Sequence, residues 1–255
     1  MSFRGWRPPA LVRDTGWTLL AQAGRLLSQA LYFVIIARAL GVNQFGALAA
    51  TVALIAILTP FAALGAGNVL VMGVARDRSS FPVLFGNALL SVLLTAWVLV
   101  PLTLVIAWLV LPGIPWQAVL LLSLAEYVLG RAADVGAMAF QAVDRLDLTA
   151  LLGTIAPALR AVAAVLFVTL PVRHDIEAWS VLYVLASALG AVAAVTIVLR
   201  RLGRARMSPR LLRRHVRLGA YFAVSASATT IYGDIDKTML GRLATFEATG
   251  IYAAA

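Results

Sequence analysis

The segment GWTLLAQAGRLLSQALYFVIIARAL, residues Gly16 to Leu40, has the length and apolar character of a membrane span but carries Arg25 near its middle. About 20 mostly apolar residues cross a bilayer core, and an arginine at the centre costs about 2.5 to 3.5 kcal/mol on insertion scales. Something must offset that cost. At about 100° per residue, Thr18, Gln22, Arg25, Gln29 and Tyr32 fall within one narrow arc, so the helix shows a single polar stripe. Such a stripe should line a wet interior, because ionisable groups inside spans face bundle centres and mark substrate or ion paths.

Composition extends this reading to the whole chain. With 62% hydrophobic and 13% charged residues, the 255-residue sequence is far too apolar for an ordinary soluble domain and reads as a polytopic membrane protein. It has no cysteine, which excludes disulfides and thiolate metal sites, and its two histidines, His174 and His215, fall in expected loops. A net charge of +10 would suggest nucleic acid in a soluble protein, but here the basic residues gather between hydrophobic spans and read as topology signals. The apolar run after Arg13 is interrupted by Arg25 and lacks a small-residue cleavage site, so it is expected to stay as a span.

Seven spans are expected, near residues 16–40, 46–71, 85–111, 116–143, 148–170, 178–199 and 218–240. Pro60, Pro101 and Pro157 fall inside three of them and are tolerated where neighbouring helices satisfy the freed backbone. The fourth is the most polar, with Glu126, Arg131, Asp134 and Gln141. Alternate connections, counted from the N-terminus, hold 14 arginines against three on the other side, which puts the N-terminus in the cytoplasm.

The chain also repeats. Shifted by 204 positions, ARALGVNQFGALAA at 37–50 lies over GRLATFEATGIYAA at 241–254, matching Arg38 with Arg242, Gly46 with Gly250, and Ala49 and Ala50 with Ala253 and Ala254. The seventh span restarts the topology of the first in the same direction, so the repeats are parallel. The expected fold is an all-α polytopic membrane bundle. It comprises a six-span N-terminal lobe at 1–199, a basic cytoplasmic linker at 200–217, and the start of a second lobe at 218–255. One full bundle and the opening of its twin suggest a shortened transporter.

Two stretches, ARALGVNQFGALAA at 37–50 and DIDKTMLGRLATFEATGIYAAA at 234–255, resemble the oligosaccharide flippases of bacterial polysaccharide biosynthesis. That family belongs to the superfamily that includes multidrug and toxic-compound extruders. The resemblance implies two six-helix lobes forming a V around a central cavity, which move a lipid-linked oligosaccharide, an undecaprenyl-diphosphate sugar, outward across the bacterial inner membrane by alternating access. The chain is shorter than that plan.

On this view Arg25 holds the diphosphate, since guanidinium offers phosphate a planar fork, and the alternative is a structural pair with Glu126 or Asp134. Gln22, Gln29 and Tyr32 meet sugar hydroxyls or serve as interhelical glue. By helical spacing Ser123, Glu126, Tyr127, Gly130, Asp134 and Gln141 share one face as a second cavity wall. Glu126 and Asp134 could bind a coupling H⁺ or Na⁺, or Arg131 and Asp134 simply neutralise each other. Arg131 and Arg160 add to a cationic floor, unless Arg160 satisfies carbonyls freed by Pro157. Asp236 is expected to face the cavity and Asp234 to pair with Lys237. Ser208 and Pro209 suggest a short surface helix, with the arginines of 200–217 meeting anionic lipid headgroups.

No cofactor, metal or nucleic-acid partner is expected: the sequence has no Gly-rich phosphate loop and no HExxH. Three other readings stand beside the flippase. A cation-coupled multidrug exporter should carry more acidic than basic charge in this lobe, whereas Arg25, Arg131 and Arg160 here outnumber Glu126 and Asp134. A non-transporting scaffold has little reason to keep embedded charges, and an enzyme would need a longer outer loop than this chain offers.

Overall fold

The computed structural model of the protein describes residues 8–171 and 173–254, among which there is helix but no strand. The helices are α1 (Pro8–Leu58), α2 (Ala66–Arg76), α3 (Phe81–Val110), α4 (Trp116–Leu124), α5 (Arg131–Gln141), α6 (Leu146–Thr169), α7 (Ile176–Arg201), α8 (Pro209–Leu243) and α9 (Phe246–Ala254). Four stretches among the described residues are long and apolar enough to cross a membrane: Gln22–Arg76, Arg78–Val110, Leu146–Thr169 and Ile176–Arg201.

The first of these stretches doubles back on itself. Phe33 packs edge-on against Phe45 with ring centroids 5.0 Å apart, although a straight helix would hold residues that far apart in sequence roughly 18 Å away from each other. The reversal is at Gly41, whose φ of 71° and ψ of 169° suit a residue without a Cβ. A second interruption, Thr59–Gly65, separates α1 from α2 and places two residues other than glycine at positive φ, Ala63 at 65° and Leu64 at 44°. Pro60 opens it by removing a backbone donor.

The polar stretch expected as the fourth span runs as α4, a wider π-helical turn over Ala125–Gly130, and α5. A π turn holds more residues per turn, so it rotates every later side chain relative to the earlier ones. The single polar face drawn from regular spacing is therefore corrected. Ser123 and Tyr127 are fully buried, with the Tyr127 hydroxyl donating to the Ile55 carbonyl at 3.2 Å and lying 2.9 Å from Thr103 Oγ1. Glu126 and Asp134 turn toward a cavity instead.

The surface helix expected near Ser208 is not separate. α8 runs unbroken from Pro209, where a fixed φ suits the first helical position, through the arginine-rich stretch to Leu243. Ser208 makes no side-chain cap. Its backbone is held by the Asn87 side chain, which accepts from Ser208 N at 2.9 Å and donates to Ser208 O at 3.2 Å. Arg206 N donates to Pro82 O at 2.8 Å, and Arg78 pairs with Asp144 at 3.6 Å. Three of the connections expected on the cytoplasmic side thus meet at one end of the bundle.

At the crossing of α1 and α9 the two backbones touch. A Cβ on Gly46 would overlap the Phe246 carbonyl, and one on Gly250 would overlap the Val42 carbonyl. The contact is reciprocal about the 204-residue offset of the sequence repeat, which relates Val42 to Phe246 and Gly46 to Gly250. Large apolar side chains fill the interior, among them Trp179, Phe85, Phe140 and Phe167, whereas Trp97 and Trp108 on α3 stand outward where a span meets lipid.

Candidate functional site

Two adjoining cavities lie between the first arm of α1, the α4–α5 unit and α6. The larger, about 400 Å³, is lined by Gln22, Arg25, Arg131, Asp134, Gln141 and Thr149, among others. The second, about 280 Å³, is lined by Arg25, Glu126, Arg131, Asp134 and Arg160 together with the Thr59 break and Pro157. The folding thus brings all three embedded arginines and both carboxylates to one chamber.

The charges are not equivalent there. Arg160 Nη2 lies 2.9 Å from Glu126 Oε1, with the two side chains only 19% and 24% exposed. The same guanidinium sits 4.3 Å over the Tyr183 ring and donates to Ser187 Oγ at 3.2 and 3.3 Å. The Tyr183 hydroxyl donates to the Glu126 carboxylate, closing a network of charge, ring and hydroxyl. Such a pair needs this support, because two ions withdrawn from water are held only when their remaining hydrogen-bonding groups are met. Arg160 therefore does not serve carbonyls at the Pro157 kink, which was its alternative role.

Arg131 pairs with Asp134 at 3.0 Å, three residues along α5, and its second Nη donates to the Thr59 carbonyl at 3.0 Å. The self-neutralising pair is present. Arg25 is exposed on the cavity wall and has no ion pair among the described residues. The alternative that paired it with Glu126 or Asp134 gives way: Arg160 holds the first and Arg131 the second. Of the five embedded charges, Arg25 is the one outside a salt bridge among the described residues, although it shares the cavity wall with Asp134 and attracts that carboxylate at longer range.

The polar stripe of the first helix outruns the chamber. Gln22 and Arg25 line it, but Tyr32 stacks on Trp179 with centroids 5.6 Å apart and lies 6.5 Å from Tyr183, forming an aromatic wall behind Arg160. Gln29 is exposed and lines neither cavity. The Thr18 and Asp234 side chains lie outside the described residues. Asp236, expected at the cavity, lies within α8, about two turns before its end, accepting from the Tyr252 hydroxyl on α9 and from Lys237 N at 2.7 Å. It lines neither cavity because α9 folds back alongside this part of α8 and takes up the carboxylate.

The reading by charge alone passed over Tyr183 and Ser187, because their helix carries no charge through most of its length. Ser180, Tyr183 and Ser187 nevertheless recur at intervals of three and four, a polar stripe on α7 that spacing reveals.

The architecture is that of a helical membrane protein with a charged internal chamber. The chain belongs to the polysaccharide biosynthesis protein family, whose sequence profile matches residues 11–255. No curated protein and no solved structure matches it.

Proposed function

We propose that the chain is a flippase that moves a lipid-linked oligosaccharide across the bacterial inner membrane, with its N-terminus in the cytoplasm. The observation that carries the reading is Arg25: a cation outside any salt bridge among the described residues, in a chamber whose other four charges form two, so that three cations there meet two anions. A diphosphate presents planar-fork acceptors to guanidinium and supplies the missing negative charge. Gln22, Gln141 and Thr149 offer neutral hydrogen-bonding groups to sugar hydroxyls in the same cavity. Glu126 and Asp134 are the candidates for a coupling H⁺ or Na⁺.

Six spans in a first lobe, a linker at 200–217 and the start of a second lobe at 218–255 are the layout this reading adopts. The doubling of α1 at Gly41 and the reciprocal Gly46 and Gly250 contact support it. The convergence of the 76–80, 144–147 and 200–208 connections at one end supports a common, cytoplasmic side. The linker arginines then face anionic lipid headgroups. The protein is a transporter on this view, not an enzyme.

The test is surface polysaccharide in a strain carrying Arg25→Ala at the native locus, with membrane insertion checked by immunoblot. Loss of polymer with normal insertion, and part of it restored by Arg25→Lys, is the expected result. Normal polymer in the alanine strain would overturn the reading. Export of cationic drugs with normal polymer would favour the multidrug alternative.

A further inference from the structure

The Thr59–Gly65 break is held open by two side chains from other helices. In a continuing α-helix the Thr59 carbonyl would accept from the Ala63 N–H. Here Ala63 N donates to Thr95 Oγ1 on α3 at 2.8 Å, and the Thr59 carbonyl accepts from Arg131 Nη2 at 3.0 Å. The missing backbone bond has been replaced at both ends.

Beyond this point the break meets α8. A Cβ on Gly219 would overlap the Leu64 carbonyl, and one on Gly65 would press on the Gly219 carbonyl and on Phe222 Cβ. A small cavity of about 130 Å³ runs along the same seam and is lined by Arg131, Asp134, Pro60, Gly65 and Phe222. One guanidinium therefore borders the anion chamber on one side and fixes the segment that touches α8 on the other. Its Nε is buried with no acceptor among the described residues, so the side chain is not fully satisfied where it stands.

We infer that Arg131 is a positioning residue that transmits anion occupancy of the chamber to the seam between the break and α8. The trigger rests on the anion-binding function proposed above; the tie itself is geometric. A phosphate oxygen beside Arg25 competes with the neutral Thr59 carbonyl for the Arg131 guanidinium, and it offers a full negative charge and a bidentate fork where the carbonyl offers only a dipole. Once released, the Thr59 carbonyl can take back the Ala63 N–H. Closing that turn draws the strained Ala63 and Leu64 toward helical geometry and moves the Leu64 carbonyl off Gly219.

The chain has no cysteine, so spin labels can be placed at Leu151→Cys on α6 and Val224→Cys on α8 without a background, both positions being exposed. In lipid nanodiscs without ligand, Arg131→Gln should shift the inter-label distance distribution beyond its wild-type width. Arg131→Lys, which keeps a cationic donor at nearly the reach of the Arg131 Nη where the shorter Gln amide falls short of Thr59, should stay near wild type, and Arg25→Gln should leave the distribution unchanged. Thr95→Val, which frees the Ala63 N–H from its outside acceptor, should give the same shift as Arg131→Gln and serves if that variant does not insert.

Undecaprenyl diphosphate should move the wild-type distribution toward that of Arg131→Gln, with binding followed separately by tryptophan fluorescence. An unshifted distribution in both Arg131→Gln and Thr95→Val overturns the inference, as does bound probe with no shift in wild type. If the probe does not bind, the functional reading fails, and the ligand-free comparison still decides whether the tie exists.

Discussion

Gly46 and Gly250 oppose each other where α1 crosses α9, each lying against a carbonyl that its partner's helix presents four residues earlier, Phe246 for Gly46 and Val42 for Gly250. Reciprocity of this kind is the mark of a two-fold relation, in which residue i meets j and the counterpart of j meets the counterpart of i. The 204-residue spacing that relates the members of both pairs is the one along which Arg38 lies over Arg242.

Alanine at either glycine should destabilise the fold by about 1 to 3 kcal/mol, the range for overpacking, since a backbone carbonyl cannot step aside as a flexible side chain can. The double variant should cost less than the sum, because a single displacement of the crossing relieves both overlaps. Thermal unfolding in detergent measures this. Gly153→Ala, where a Cβ would meet nothing within 4 Å, is the control and should be neutral or stabilising through helix propensity.

Glu126→Ala and Arg160→Ala should each be strongly destabilising, toward the low end of about 3 to 5 kcal/mol because the pair is partly exposed. Tyr183→Phe keeps the ring beneath Arg160 and removes only the hydroxyl bond to the carboxylate. It should cost less, about 1.5 to 3 kcal/mol. A cycle of the single and double Glu126 and Arg160 variants, read by thermal shift, separates the coupling of the pair from its burial.

Asn87→Ala should loosen the 203–208 connection, since both of its contacts to the Ser208 backbone are lost. Limited trypsin digestion should then cleave faster at Arg204 and Arg206, with a stability cost of about 1 to 3 kcal/mol. Asn87→Asp keeps the acceptor for Ser208 N and should lie between. Equal cleavage rates in all three proteins would show that the Arg206 and Pro82 bond alone secures the connection.

Ala63→Gly removes the steric cost of a positive φ, about 1 to 2 kcal/mol, against about 0.5 to 1 kcal/mol of added freedom in the unfolded chain, and should stabilise the protein by a net of up to about 1 kcal/mol. Thr95→Ala removes the acceptor that the Ala63 N–H uses in the open break and should lower the stability of that open form, the opposite sign, while Thr95→Ser retains the acceptor. Melting temperatures of the three variants give the order directly.

Much of the architecture was legible in the sequence because apolar length and arginine placement report the membrane almost residue by residue. α3, α6 and α7 lie within a few residues of where hydropathy puts them. The embedded arginines were visible as anomalies for the same reason. Their partners were not: adjacent residues of one turn part company, Tyr127 into the core and Glu126 to Arg160, and the π turn at Ala125–Gly130 shifts the phase of the residues after it, which regular spacing cannot anticipate. Nor does hydropathy see the Thr59–Gly65 break, where a carbonyl is answered by a side chain far along the chain. The repeat was faint in letters, with four matches in 14, yet those matches included the glycine on which the crossing depends.

The crossing of α1 and α9 has a mechanical meaning. Interlocked side chains make two helices behave like meshed gears, which turn only by steps and at the expense of every rotamer in the row. Bare backbone on bare backbone has no teeth at that point, so the contact itself sets no angle between the two helices. The angle is set by the side chains on either side of it, Phe246, Thr249 and Ala253, which are packed into the interior.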